Sequence, residues 1–174
     1  MQLTYLRAVI VGTVLVLLTG LAACTLPSKS PSGGSGQPAP QFSLPNLDGK
    51  QIQLKDFSNK VVIVDFWATW CGPCREEIPH LNRLYQDYRG RGFEIIGISM
   101  DTDEPANIKK FTKEFRMEYT VVIGNEGVAQ DFGGILGYPT TIIIDRKGNM
   151  VKKYTGFQPS FLQEMERTIK ELLG

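Results

Sequence analysis

The segment VVIVDFWATWCGPC, residues 61–74, constrains the fold more than any other part of the chain. Val61 to Ala68 is a β-branched and aromatic run of strand length, the pattern of a strand covered on both faces, and it delivers the chain to two cysteines. Beyond them Ile78, Leu81, Leu84, Tyr85 and Tyr88 recur at helical spacing, so Cys71 and Cys74 stand at the start of a helix. One residue interrupts the apolar strand. Asp65 lies inside it, and an acid buried there is costly unless it is neutral or partnered; burial raises its pKa toward the range useful for passing a proton to Cys74.

The chain has three cysteines, and the first belongs to a different part of it. Arg7 is the only charge in the first 24 residues, and Ala8 to Ala23 is an uncharged apolar stretch ending in small residues, which reads as an export signal. LAAC, Leu21 to Cys24, resembles the lipobox of bacterial lipoproteins, which implies cleavage after residue 23 and a diacylglycerol on the Cys24 sulfur. The Ser, Gly and Pro of residues 24–40 cannot build a core and read as a flexible tether, with a reach of at most ~50 Å. The folded domain is then 41–174, held outside the cytoplasm on a membrane and facing the periplasm in a Gram-negative cell.

Cys71 and Cys74 remain, and they make a poor staple, because the loop between them is too short for its closure to stabilise much. Zinc needs further ligands, and His80 is the only histidine, with no second Cys-x-x-Cys. Covalent haem attachment fails because Arg75 follows Cys74. No metal and no cofactor is expected, and a redox dithiol is left. Discounting Arg7, basic and acidic residues balance at 18 each, so the broad cationic footprint needed for nucleic acid is absent. A single helical histidine such as His80 reads as a packing or surface residue.

The order of elements fits an α/β domain. Phe42 to Leu47 and Gln51 to Leu54 read as a hairpin around NLDGK, followed by the buried strand and the dithiol helix. Phe93 to Met100 is a second buried strand, DTDEPANIKKFTKEF a helix, Tyr119 to Gly124 a strand, and Val128 to Phe132 a short helix. Thr140 to Asp145 and Met150 to Phe157 form a hairpin around RKGN, and Ser160 is expected to cap a last helix ending at Leu173. Such a sequence makes a mixed central sheet with helices on both faces.

With VDFWATWCGPC at the junction, Pro79 in the helix and GYPTT before a later strand, residues 38–173 resemble the thioredoxin superfamily. The N-terminal hairpin, REEIP after the dithiol, the helix inserted between GISMD and YTVVIG, and the anchor are similar to the TlpA and ResA group of extracytoplasmic thiol-disulfide oxidoreductases. The resemblance implies a thioredoxin-like three-layer fold, a cis peptide before Pro139, and a contact surface made by Trp70, Gly72, Pro73, Tyr138 and Pro139. Glu77 has two readings on its spacing, an exposed helix charge or an acid one turn beneath the thiols; the resemblance supports the second.

The chemistry follows from the positions. A thiolate at a helix N-terminus faces unsatisfied N–H groups, so Cys71 is the nucleophile and Cys74, one turn on, resolves the mixed disulfide. The expected activity is protein-disulfide reduction in exported proteins, apocytochrome c being one candidate client, by a monomer supplied by a membrane thiol donor of the DsbD or CcdA kind. Two alternatives stand beside it. A peroxide reductase shares the fold and part of the APQFSLPNLDG segment, but its active site needs a proline at 64 and a threonine at 68, where this chain has Val64 and Ala68. A non-catalytic binding module would leave the dithiol, Pro139 and Asp65 without a purpose.

Overall fold

The computed structural model describes residues 36–102 and 104–174. The export signal, Cys24 and most of the tether lie outside the described residues. Among the described residues no helix is long and apolar enough to cross a membrane.

A six-stranded mixed sheet forms the middle layer, in the order β1 (Gln37–Pro38), β8 (Asn149–Thr155), β7 (Thr140–Ile144), β4 (Val61–Trp67), β5 (Phe93–Ser99) and β6 (Thr120–Ile123). β4 pairs in parallel with β5 and antiparallel with β7, and β5 pairs in parallel with β6. Every residue of β4 and β5 is buried, which explains their predominantly apolar sequences. β2 (Ser43–Pro45) and β3 (Gln51–Gln53) make the separate hairpin that NLDGK predicts, closed by the Asn46 carbonyl and side chain.

Three helices cover one face: α1 (Gly72–Tyr88), α2 (Pro105–Glu114), which is the inserted helix, and α4 (Pro159–Leu173). Their core contains Trp67, Ile78, Leu81, Ile95, Ile108, Phe111, Met165 and Ile169, with the Trp67 and Phe111 rings stacked 5.2 Å apart. The short α3 (Glu126–Asp131) and the hairpin cover the other face, over Val62, Val64, Phe66, Ile96, Ile98 and Ile142. Alternation along β4 therefore sends Val61, Ile63, Asp65 and Trp67 under α1, and Val62, Val64 and Phe66 under the hairpin.

Two boundaries differ from expectation. The ordered domain begins before residue 41, because Gln37 and Pro38 pair with Met150 and Asn149 and Ala39 is buried in the second core. Strand addition to a paired edge needs only backbone groups, which composition does not reveal. Ser160 does not cap the last helix. Pro159 is its first residue and Gln158 its N-cap, without a side-chain bond, so the proline's fixed φ starts the helix two residues earlier.

Gly97 is the register partner of Asp65 on β5, and its missing side chain leaves room for the edge of Trp67 and the ring of Tyr119. A Cβ there would lie 2.9 Å from Trp67 Nε1 and 3.2 Å from Tyr119 Cε2, both on rigid rings locked in the core. Gly97→Ala is expected to destabilise the domain by roughly 1–3 kcal/mol in chemical denaturation. An unchanged midpoint would mean that the rings move aside at no cost.

Candidate active site

β4 ends at Trp67, and residues 68–70 turn the chain into α1 with Cys71 as its N-cap. Cys71 Sγ accepts a hydrogen bond from the Cys74 N–H at 3.2 Å, so the first cysteine meets the unsatisfied amides of the first helical turn. Pro73, at the second helical position, has no N–H to leave unpaired. Cys71 and Cys74 are joined by a disulfide with an S–S distance of 2.01 Å. Cys71 retains 5% exposure and Cys74 1%, while Gly72 and Pro73 are exposed. Cys71 is thus the more accessible of the two residues.

Trp70 is the exposed residue beside them, at 68%, its ring edge-on to Tyr138 at 5.7 Å. Trp70, Cys71, Gly72 and Pro73 form one wall of an apolar groove of about 380 Å³, and Ile135, Leu136, Gly137 and Tyr138 form the other. Leu136 is 98% exposed. The Tyr138–Pro139 peptide is cis, and Pro139 itself is buried, so Tyr138 rather than the proline ring reaches the groove. Val64 and Ala68 are fully buried, Val64 in the core opposite the dithiol helix.

Asp65 and Glu77 meet beneath the dithiol. Both are only 1% exposed. Glu77 follows Cys74 by three residues on the buried side of α1, whereas Glu76 beside it is exposed. Between the two acids stands Thr141, the register partner of Asp65 on β7, with Oγ1 3.2 Å from Asp65 Oδ1 and 3.1 Å from Glu77 Oε1. Burial pushes the Asp65 carboxyl up to about 7, and hydrogen bonding with Thr141 opposes it. Burial, then the charge of Asp65, push Glu77 up to about 9 against the same opposing bond. Among the described residues neither acid forms an ion pair, and Thr141 is the side-chain hydrogen-bond partner of both.

Sequence reasoning missed Thr141 and Asp101. Asp101 accepts hydrogen bonds from the Thr69 N–H at 3.0 Å, the Thr69 hydroxyl at 2.6 Å and the Ser99 hydroxyl at 2.7 Å, fixing the turn that presents Cys71. Arg75 donates to the Thr69 carbonyl at 3.1 and 2.7 Å from the other side. The available signal was TT at the head of an apolar strand, a hydroxyl pair in a run that otherwise carries none, and an acid just past β5 at the cysteine end of the sheet. His80 is hydrogen-bonded with Arg83 and lies beside the Phe157 ring, in a pocket bordered by α1 and α4.

Comparison with known proteins agrees with this geometry. The AhpC/TSA family model matches residues 35–153. Thiol-disulfide oxidoreductase ResA of Bacillus cereus is 34% identical over 163 residues, covering 91% of this chain and 92% of that one. Thioredoxin-like protein YneN of Bacillus subtilis is 31% identical over 170 residues, covering 94% and 98%. A crystal structure from Chlorobium tepidum, assigned to a thiol:disulfide interchange protein DsbE, superposes with a TM-score of 0.76 at 34% identity, covering 82% of this chain and all of that one. A match across the sheet, the dithiol and the cis-proline strand, together with relatives aligned nearly end to end, makes this chain a member of the AhpC/TSA family and a thioredoxin-fold thiol-disulfide oxidoreductase.

Proposed function

We infer that the protein reduces disulfides in exported protein clients, with Cys71 as nucleophile and Cys74 as resolving thiol. The observation that carries this reading is the asymmetry of the pair: Cys71 faces both the groove and the helix N-terminus, and Cys74 is closed off above two buried acids. The helix dipole and the Cys74 N–H favour a thiolate on Cys71 in the dithiol state. That thiolate attacks one sulfur of a client disulfide, forming a mixed disulfide and releasing the other client sulfur as a thiolate. Cys74 gives up its proton to a carboxylate beneath it and attacks Cys71 Sγ. The second client thiolate leaves, the Cys71–Cys74 disulfide forms, and two electrons have passed to the client.

The groove supports a client segment laid beside the dithiol: its walls include Trp70, Tyr138, Ile135 and Leu136, of which Trp70 and Leu136 are large apolar side chains left exposed. Gly72–Pro73 between the cysteines supports the reducing direction, and the apolar leader ending in LAAC supports a lipid-tethered, extracytoplasmic protein acting on exported clients. Apocytochrome c, and a membrane thiol donor of the DsbD or CcdA kind that returns the disulfide to the dithiol, enter on the similarity to the TlpA and ResA group. The domain acts as a monomer.

The dithiol-reduced protein is expected to reduce insulin disulfides, Cys71→Ser to abolish this, and Cys74→Ser to accumulate a mixed disulfide that survives in non-reducing electrophoresis. Full activity in Cys71→Ser would sink the assignment of the nucleophile. The reduction potential, measured against glutathione or dithiothreitol buffers, is expected below about −200 mV; a value above about −150 mV would reverse the direction of electron flow.

The acids also set a pH dependence of stability. Their ordinary pKa values are 3.8 and 4.5, and both are raised in the fold. Between the unfolded and folded values the native state holds protons that the unfolded chain has released, so stability falls as pH rises from about 4 to about 9. Asp65→Asn is expected to flatten the lower part of this slope and to stabilise the oxidised protein at pH 8 by on the order of 1–3 kcal/mol, with no gain at pH 4. Guanidinium denaturation at the two pH values measures it.

A further inference from the structure

Two hydrogen bonds meet at Thr141 Oγ1, and the hydroxyl has one hydrogen to give. Asp65 Oδ1 stands 3.2 Å from it and Glu77 Oε1 3.1 Å. Both bonds form only if at least one of the acids brings a hydrogen of its own: a protonated carboxyl donates to Oγ1, and the hydroxyl donates onward to the other carboxyl. The network is satisfied with one proton on the pair, or with two. With none, two carboxylates would face a single hydroxyl in a closed apolar core, one bond would be lost, and the charges would repel.

Among the described residues no other side chain hydrogen-bonds to either acid. Asp65, Glu77 and Thr141 are each 1% exposed. β5 presents Gly97 at the register position beside Asp65, and α2 and α4 contribute Phe111 and Met165 to this core. The titratable groups on this side are Cys71 and Cys74, the Tyr85 and Tyr88 phenols of α1, Tyr119, and Tyr154 on β8, which is the register partner of Thr141; burial raises the pKa of all four phenols and keeps them neutral. Among the described residues Glu77 Oε2, Trp67 Nε1, Tyr119 Oη and Tyr154 Oη have no hydrogen-bond partner. Thr141 is thus the residue that couples the two acids.

We propose that Thr141 is a positioning residue for disulfide exchange: its hydroxyl, shared between Asp65 and Glu77, keeps one proton on the pair and holds the remaining carboxylate ready as the base for Cys74. During resolution the pair passes from one proton to two. The Cys74 S–H loses its proton to the free carboxylate, the Cys71–Cys74 bond forms as the Cys71–client bond breaks, and the client sulfur departs as a thiolate. The added proton then returns to solvent and the one-proton state is restored.

Valine in place of Thr141 keeps the shape and the strand preference but removes both bonds. The two acids then face only apolar surface and each other, both take up protons at neutral pH, and the base is lost until the pH is raised. In single-turnover reduction of insulin across the pH range, Thr141→Val is expected to move the acid limb of the rate profile upward by about one pH unit or more, and Thr141→Ser to restore the wild-type limb. A Thr141→Val profile that overlays the wild type, or a serine variant shifted as far as the valine one, overturns the proposal.

This inference rests on Cys74 as the resolving thiol, and a second measurement separates the two ideas. Carboxyl carbon NMR of the oxidised wild-type protein, assigned with Asp65→Asn and Glu77→Gln, involves no catalysis. It is expected to reveal one of the two carboxyls still protonated at about pH 7. Both carboxyls ionising together below about pH 5 sinks the shared proton whatever the cysteines do. Loss of the mixed disulfide in Cys74→Ser would instead overturn the cysteine roles and leave the titration standing.

Discussion

β4 is paired along its length on both edges and covered on both faces, and the dithiol end of the molecule depends on that confinement. A strand held so tightly has one register, since a slip of a single residue would exchange Asp65 and Trp67 for Val64 and Phe66 beneath α1. The same register sets Asp65 opposite Thr141 on one side and Gly97 on the other. It supplies an acid, a hydroxyl and a space at one level of the sheet, directly under the helix that carries the cysteines. The turn from Ala68 to Cys71 is then fixed from both sides by Asp101 and Arg75.

The two cysteines experience opposite electrostatics within one helical turn. Cys71 meets the positive end of α1, where negative charge is welcome. Cys74 lies above acids that burial keeps partly protonated, where negative charge is resisted until a proton has somewhere to go. The arrangement divides labour between identical side chains, with backbone amides at one cysteine and buried acids near the other. Its cost is a core that loses stability as pH rises, a local conflict between packing and chemistry of the kind expected at a functional site.

Much of this was legible in the sequence because it is local. The strand, the helix register and the placement of Cys71 at the helix start all lie within residues 61–88, where periodicity speaks directly. Asp65 stood out for the same reason, as a charge in an apolar run. Glu77 was ambiguous because a small error in helix phase decides between core and solvent, and Glu76 is its exposed neighbour. Thr141 left only the TT pair as a trace: its meaning depends on pairing with a residue 76 positions away, and a threonine in a β-branched run looks like any strand residue. The edge strand at Gln37–Pro38 was hidden similarly, since backbone pairing leaves little trace in composition.

That edge strand sets the direction in which the domain faces. Gln37 lies across from Met150, Met150 from Ile144 and Ile144 neighbours the Val62 level of β4, while the dithiol follows Trp67 at the other end of the same strand. The preceding chain therefore joins the sheet at the pole remote from the disulfide, about four residues of strand, or ~13 Å, behind the level at which Phe66 meets Thr140. A pull on the N-terminal side runs into a short antiparallel clasp and not through the reactive turn. The groove beside Cys71 belongs to the opposite end of β4 from that clasp.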